Sequence, residues 1–353
     1  MEVLRPALLN INGRIYRKNA TKEHVYQDEE DEFSYSGADG VQCADEPCDT
    51  VHLEETEKGF RYAIDVPSVL YKYIIGKKGE TKKRMESETR TTITIPRLGE
   101  EGQIVITGQQ GSAVMSAVTR IEVLMEGFRR KQPFTHFLSF ALNHPEVQER
   151  FLKFKEQVLD QRSQDHGVDS SIFQNPTKLH LTVGTLTLLS DLEVTKACKV
   201  LQQCQDFVRG ITGEKPLLLE VSGIEYMNDD PAMVDVLYAK VQPKDGSDKL
   251  QMMADRLVEH FVSSGLMARE WDRVKLHGTI MNTLFRKDPS EEDKATTKRL
   301  NTKDREAFDA RNILRMFGTY HFGEFELNAV HLSQRYSTDC TGFYTSSGTI
   351  TFS

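Results

Sequence analysis

The chain has 353 residues, enough for about two domains of roughly 150 residues each, and it can bury a core without disulfide support. Hydrophobic residues make up 38% and charged residues 28%, which excludes a wholly disordered or fibrous chain. No run approaches the roughly 18 apolar residues of a bilayer span, and Met1-Glu2-Val3-Leu4-Arg5 lacks the basic and apolar blocks of a signal peptide.

Five scattered cysteines (Cys43, Cys48, Cys198, Cys204 and Cys340) argue against a disulfide framework and for a reducing compartment. The net charge of −8 is unevenly placed. Between Glu23 and Glu57 there are 13 acidic residues and no Lys or Arg, and without them the chain carries +5, so phosphate-rich partners stay open. Residues 1–57 are expected to be largely disordered, because Asp28-Glu29-Glu30-Asp31-Glu32 repels itself among few apolar residues. The segment reads either as a solubilising tail or as a partner-docking stretch. The second reading rests on Leu8, Leu9, Ile11, Ile15 and Tyr16 lying among Arg14, Arg17 and Lys18. Cys43 and Cys48 have no second Cys or His pair at finger spacing, so no zinc site is expected there.

From Gly59 the texture becomes globular. Arg61 to Val66 reads as a strand, Leu70 to Ile75 as a short helical turn, Glu80 to Glu88 as a helix, and Thr91 to Ile95 as a β-branched strand halted by Pro96. Ile104-Val105-Ile106 is a second buried strand. Val114, Val118, Ile121, Met125 and Phe128 then recur on one helical face. The predicted order over 58–131 is β-α-α-β-β-α. Between its first two helices stands Ile75-Gly76-Lys77-Lys78-Gly79. The two glycines permit a tight turn and a close approach, N–H groups at the next helix start favour a phosphate, and two lysines add charge. A lone GxxG is a weak signal, but this one sits inside the complete element order. The segment resembles a KH domain of the type with its third helix at the C-terminus. That resemblance implies a clamp for about four nucleotides of single-stranded RNA or DNA, with Ile75, Gly76, Lys77, Lys78 and Gly79 at the phosphates and Lys82, Lys83 and Arg84 extending the basic surface. The competing reading is a KH domain turned to protein contact.

Pro133 marks the next boundary. Strands and helices alternate from there to the end, giving a second α+β domain at 132–353. A dense charged stretch at about 286–310 is expected to be a long mobile loop within it. Two hexapeptides repeat 97 residues apart: Lys178-Leu179-His180-Leu181-Thr182-Val183 and Lys275-Leu276-His277-Gly278-Thr279-Ile280. Read as strands, each puts Lys, His and Thr on one face and its apolar residues on the other. Two such strands across a cleft would set two imidazoles around one phosphate. A neutral one would take a proton from the attacking oxygen and a protonated one would supply the leaving oxygen. Thr182 and Thr279 would hydrogen-bond nonbridging oxygens, and Lys178 and Lys275 would offset developing charge, so the residues themselves supply the chemistry without a cofactor or metal.

These repeats resemble the paired His-x-Thr/Ser motifs of the 2H phosphoesterase superfamily. The resemblance implies a bilobal, pseudo-symmetric α+β fold with the histidines at its centre, and an RNA end-processing or cyclic phosphodiesterase class of activity. Gly278 departs from it, since an apolar side chain is usual there, and is expected to loosen the packing behind its strand. His331-Leu332-Ser333 fits His-x-Ser without the Lys-Leu lead and is expected to be structural, or to lie at the rim with Arg335 and Tyr336. His136, His144, His166, His260 and His321 read as surface or satisfied core residues.

A KH domain leading into a 2H phosphoesterase domain is an uncommon order. With the stretches Cys43–Cys48, Arg129–Phe137 and Gly223–Asp230, it resembles a family of subunits from a nuclear complex built around a large helicase. That resemblance implies transcription coactivation, alkylation-damage repair, a nuclear location, no membrane, and partners that include single-stranded nucleic acid, RNA favoured. Three readings stay open: an RNA phosphodiesterase, a catalytically idle cleft that recognises nucleic-acid ends, and a protein adaptor. The short linker before Pro133 predicts a rigid domain pair with a composite groove, which independent tumbling in NMR relaxation would refute.

Overall fold

In the computed structural model the described residues are 8–11, 14–17, 53–97, 99–227, 229–269, 272–286 and 306–352. Contacts divide the chain into two units, Met1–Lys131 and Gln132–Ser353.

The first unit opens with a hairpin. β1 (Leu8–Ile11) pairs antiparallel with β2 (Arg14–Arg17), Leu9 opposite Tyr16 and Ile11 opposite Arg14. Asn12-Gly13 stands between them, the residue pair favoured in two-residue hairpin turns. A third strand of the segment expected to be disordered, β3 (Glu54–Thr56), pairs with β4 (Gly59–Asp65), and Glu54 meets Arg61 at 2.5 Å. Strands thus stand at both ends of the stretch 1–57, on either side of the acidic run. That run itself lies outside the described residues.

The remaining elements are α1 (Tyr71–Ile75), α2 (Glu80–Thr89), β5 (Thr91–Thr94), β6 (Gln103–Gly108) and α3 (Gly111–Arg129). The antiparallel sheet runs β3-β4-β6-β5. Tyr71, Ile74, Ile93, Ile104, Ile106, Val114 and Ile121 have no exposed surface. Each such aliphatic side chain contributes about 1.5–3 kcal/mol by leaving water, which explains why so short a helix as α1 is held. On α3, Val114, Val118 and Ile121 enter this core. Phe128 stays half-buried and stacks instead on Tyr73 at 3.8 Å.

In the second unit the strands are β7 (His136–Ala141), β8 (His180–Leu186), β9 (Leu217–Tyr226), β10 (Val236–Pro243), β11 (Gly278–Asn282), β12 (His321–Leu327), β13 (Ala329–Thr338) and β14 (Tyr344–Thr351). Its helices are α4 (Pro145–Arg162), α5 (Asp191–Gln203), α6 (Gln205–Thr212), α7 (Lys249–Ser263) and α8 (Arg311–Phe317). One eight-stranded antiparallel sheet runs β12-β9-β10-β11-β8-β7-β13-β14. It consists of two four-stranded halves. α4 lies in the chain between β7 and β8 of one, and α7 between β10 and β11 of the other, and this is the bilobal pseudo-symmetry. Leu138, Phe140, Leu181 and Ile280 join Phe151, Phe154, Leu257 and Phe261 from α4 and α7 in one apolar core. By the two-residue period, their strand neighbours are left to the opposite face.

Beyond the sheet, the stretch expected as a mobile loop lies outside the described residues at 287–305. Its two stems are described: Arg286 bonds the carbonyls of Glu306 and Gly167 and pairs with Asp169 at 3.0 Å. At the far edge, β14 offers carbonyls of Ser347, Thr349 and Thr351, and these accept from Cys198 Sγ, Gln202 Nε2 and Gln205 Nε2 of α5 and α6. No helix of the described residues is long and apolar enough to cross a membrane.

Candidate active site and nucleic-acid interface

The glycine-bracketed loop is built by local backbone. Gly76 ends α1 at φ 71°, and a Cβ there would run into Thr81 of the next helix, so glycine is required. Lys77 is helical, Lys78 is left-handed at φ 51° and Gly79 at φ 80°. A helical residue followed by left-handed ones turns successive N–H groups toward one side, a shape that holds anions. Gly79 faces open space where a Cβ would sit, and it caps α2 without a side chain, leaving the first N–H groups of α2 without a side-chain acceptor there. Lys77, Lys78 and Lys83 are exposed, and Ile75 is half-buried beside them. Lys82 lies 3.6 Å from Glu86, whose carboxylate also accepts from the Ile93 N–H at 2.7 Å. Its charge is thus partly answered within the fold.

The two repeats meet at the centre of the sheet. Leu181 of β8 stands directly opposite Gly278 of β11, antiparallel. Continued by one residue in each direction, that register sets His180 opposite Thr279 and Thr182 opposite His277. Because Leu181 faces the core, all four polar side chains take the other face, and each imidazole has the other repeat's hydroxyl as its cross-strand neighbour. The strands expected to face each other across a cleft are therefore hydrogen-bonded neighbours. Gly278 follows from the same register: a Cβ there would come within 2.9 Å of Leu142 Cδ1. Leu142 and Leu181 fill the space, although a small apolar void lined by Leu142, Phe151, Gly278 and Ile280 remains behind it.

The lysines of the repeats are placed differently from the expectation. Lys178 closes the 3-10 turn Pro176–Lys178, and Lys275 lies before β11, outside the strand, so neither shares a strand face with its histidine. Their backbones do the positioning. His180 Nδ1 lies 2.7 Å from the Lys178 carbonyl and His277 Nδ1 lies 2.6 Å from the Lys275 carbonyl. A carbonyl only accepts, so both Nδ1 atoms carry the proton, and Nε2 is the basic nitrogen in each neutral ring. The Lys178 ammonium sits over the Tyr344 ring at 5.2 Å.

Burial pushes the His180 imidazole down to about 4; the Lys178 carbonyl bond opposes this, while the charges of His277 and Lys178 add to it. Burial also lowers His277, against the pull of its own carbonyl bond. Burial thus favours the neutral form of both rings in the free site. An arriving phosphate anion favours the protonated form of a nearby imidazole and raises its pKa, so ligand binding itself would bring in the proton.

Sequence reasoning missed the aromatic surround. Phe137 and Tyr344 rings lie 5.1 and 5.2 Å from His180. Tyr344 is brought there by the β13–β14 turn, where Thr177 Oγ1 donates to the Gly342 carbonyl at 2.9 Å. Tyr238, opposite Thr279, lies 5.6 Å from His277 and donates to Glu225 at 2.9 Å, and Glu225 pairs with Lys240 at 3.2 Å. The only available signal was the period-two pattern of β10, and it names a face but not a neighbour. His331 lies on β13 with Nδ1 3.2 Å from Thr349 Oγ1, while Ser333 is fully buried 3.0 Å from Ser139 Oγ. Arg335 stacks between Phe134 and Tyr336 at 4.1 and 5.0 Å. Glu220, His321 and Glu324 gather within 4.8 Å at the β9–β12 edge, where Lys244 pairs with Glu324 at 2.5 Å and makes the group an ion-pair network.

Residues 134–352 match the AKAP7 2'5' RNA ligase-like domain, and residues 61–123 match the KH domain. The chain is 54% identical over its whole length to activating signal cointegrator 1 complex subunit 1 of Mus musculus, and covers all of that protein. Among solved structures, LigT of E. coli complexed with 3'-AMP aligns at 13% identity and a TM-score of 0.34, over 63% of this chain and 99% of that one. TT0787 of Thermus thermophilus aligns at 15% identity and a TM-score of 0.33, over 62% and 97% respectively.

Proposed function

The chain belongs to the family of activating signal cointegrator 1 complex subunit 1, a KH domain joined to a 2'5' RNA ligase-like 2H phosphoesterase domain, and on that premise we propose that it captures single-stranded nucleic acid, RNA favoured, and cleaves or trims a phosphodiester at its end. The observation that carries this reading is the Leu181–Gly278 register, which gathers His180, Thr182, His277 and Thr279 on one face. One imidazole Nε2 takes the proton of the attacking hydroxyl or water. The other, charged by the arriving phosphate, returns a proton to the leaving oxygen. The two threonine hydroxyls donate to nonbridging oxygens, and Lys178 and Lys275 add positive charge beside them. Lys77 and Lys78 with the Gly76–Gly79 backbone capture the single strand. The proposed setting is the nucleus, in the activating signal cointegrator 1 complex with its large helicase subunit, in transcription coactivation and alkylation-damage repair.

A second reading is favoured by one observation, the depressed pKa of both imidazoles. A free site without an imidazolium suits recognition of a phosphorylated end without turnover. One experiment separates the two. End-labelled RNA and DNA strands with 2′,3′-cyclic, 2′,5′ and 3′,5′ linkages are incubated in EDTA with the wild type and with His180→Ala/His277→Ala. Cleavage lost in the double variant establishes the enzyme and its linkage. Binding without cleavage, weakened by the same change, establishes an end-recognition subunit. Neither binding nor cleavage refutes both.

A further inference from the structure

On the KH unit, one helical turn before the phosphate loop, Tyr73 of α1 and Phe128 of α3 stack face to face, with centroids 3.8 Å apart and planes 17° from parallel. Their inner faces are closed by one another. The Lys72 ammonium over Tyr73 at 4.9 Å and the Lys131 ammonium over Phe128 at 5.4 Å must therefore lie toward the outer faces. Both lysines are exposed and both rings are half-buried. A seam between two helices is ordinarily sealed by aliphatic side chains, as the Val114 end of α3 is. Here it ends in two flat, half-buried rings, each with a long, flexible cation over it.

We propose that the Tyr73–Phe128 pair is a base-stacking platform that receives single-stranded nucleic acid leaving the Gly76–Gly79 loop. The placement supports this: the Gly76 N–H donates to the Lys72 carbonyl at 2.9 Å, so the platform begins one helical turn before the loop, about 5 Å of rise from Tyr73 to Gly76. The chemistry also supports it. An exposed cation–π contact favours its state by roughly two- to five-fold, while a base on an aromatic ring gains roughly five- to a hundred-fold. An incoming base therefore displaces the ammonium, and the displaced Lys72 or Lys131 is left beside that nucleotide's phosphate. Charge complementarity selects nucleic acid as the occupant, because both outer faces carry positive groups.

The inference rests on the loop being a phosphate contact, and its test separates the two claims. Binding of oligouridylates of 4, 6, 8 and 10 nucleotides to the full chain is measured by fluorescence anisotropy. The wild type is expected to gain affinity from 4 to 8 nucleotides. Tyr73→Leu, which keeps an apolar side chain in the seam, is expected to remove about five- to a hundred-fold from the 8-mer and to leave the 4-mer unchanged. Lys72→Glu/Lys131→Glu, which leaves both rings in place, is expected to do the same and guards against a folding defect. Lys77→Asp/Lys78→Asp is expected to weaken every length. No binding at any length overturns both claims. A length gain that survives the Tyr73 and lysine variants, or no length gain in the wild type, overturns the platform alone. Loss of the helicase subunit from the complex with unchanged oligonucleotide binding also overturns it and gives the face to a protein.

Discussion

In the proposed reading the Gly76–Gly79 loop and the histidine pair both meet phosphate, and they are built by opposite means. The loop is local: four consecutive residues, two positive-φ glycines and a left-handed Lys78 shape it with no help from distant chain. The histidine site is non-local, since residues 97 apart become neighbours through one antiparallel register. The loop offers backbone N–H groups and exposed lysines, so it holds a strand by charge and shape. The pair offers half-buried neutral rings with fixed tautomers, so it answers to protons. Affinity and chemistry are therefore separable by substitution.

The sharpest break is at the histidines. His180→Ala or His277→Ala alone is expected to lower cleavage by roughly 10²–10⁴-fold while leaving 4-mer binding at the loop unchanged, as read by single-turnover kinetics and anisotropy on the same preparation. Equal loss of both would mean that the two regions are not independent. Next in size, Lys77→Asp/Lys78→Asp is expected to weaken strand binding by about ten-fold or more and to flatten the dependence of log K on log salt by roughly 1–2, near 0.7 per lost phosphate contact. Turnover of a dinucleotide at the histidine site should not change. Gly278→Ala comes third. Its Cβ would press on Leu142, and overpacking of this kind costs about 1–3 kcal/mol. A lower melting temperature of the second unit, with the first unchanged, is expected in calorimetry. A neutral outcome would show that the adjoining void absorbs the methyl group.

The smallest effect is in pH. His180 is lower in the fold than its ordinary 6.5, at about 4, so the stability it contributes is full above 6.5 and is lost as pH falls toward 4. Binding runs the other way. A phosphate that raises this pKa takes up a proton, so affinity for an end-phosphorylated strand should rise from pH 8 to pH 5. His180→Gln should flatten that rise, and calorimetry in two buffers of different ionisation enthalpy should show the proton uptake. A pH-independent affinity would remove the imidazoles from ligand contact.

Much of this was open to reading from residues, and the limit was physical. The repeated Lys-Leu-His-x-Thr pattern marks both motifs, because a two-residue period puts His and Thr on one face whatever the partner strand is. The loop was legible because glycines at fixed spacing dictate backbone. The identity of the partner strand was not, since register is decided by packing across the sheet, here by Leu181 against the bare Gly278. The lysines misled for a related reason. A sequence names side chains, but Lys178 and Lys275 act on the histidines through their carbonyls, which any residue could supply. Tyr344 was invisible because a turn 164 residues from His180 carries it in.

The capped edge of β14 bears on how this lobe meets its neighbours. Two glutamines and a cysteine already occupy the carbonyls that a foreign strand would need, so the sheet cannot be lengthened there. Inside a crowded multi-subunit assembly, that denies other chains a template for adventitious pairing. A neighbour on this side must engage through side chains and shape, and its fit to this one surface selects it.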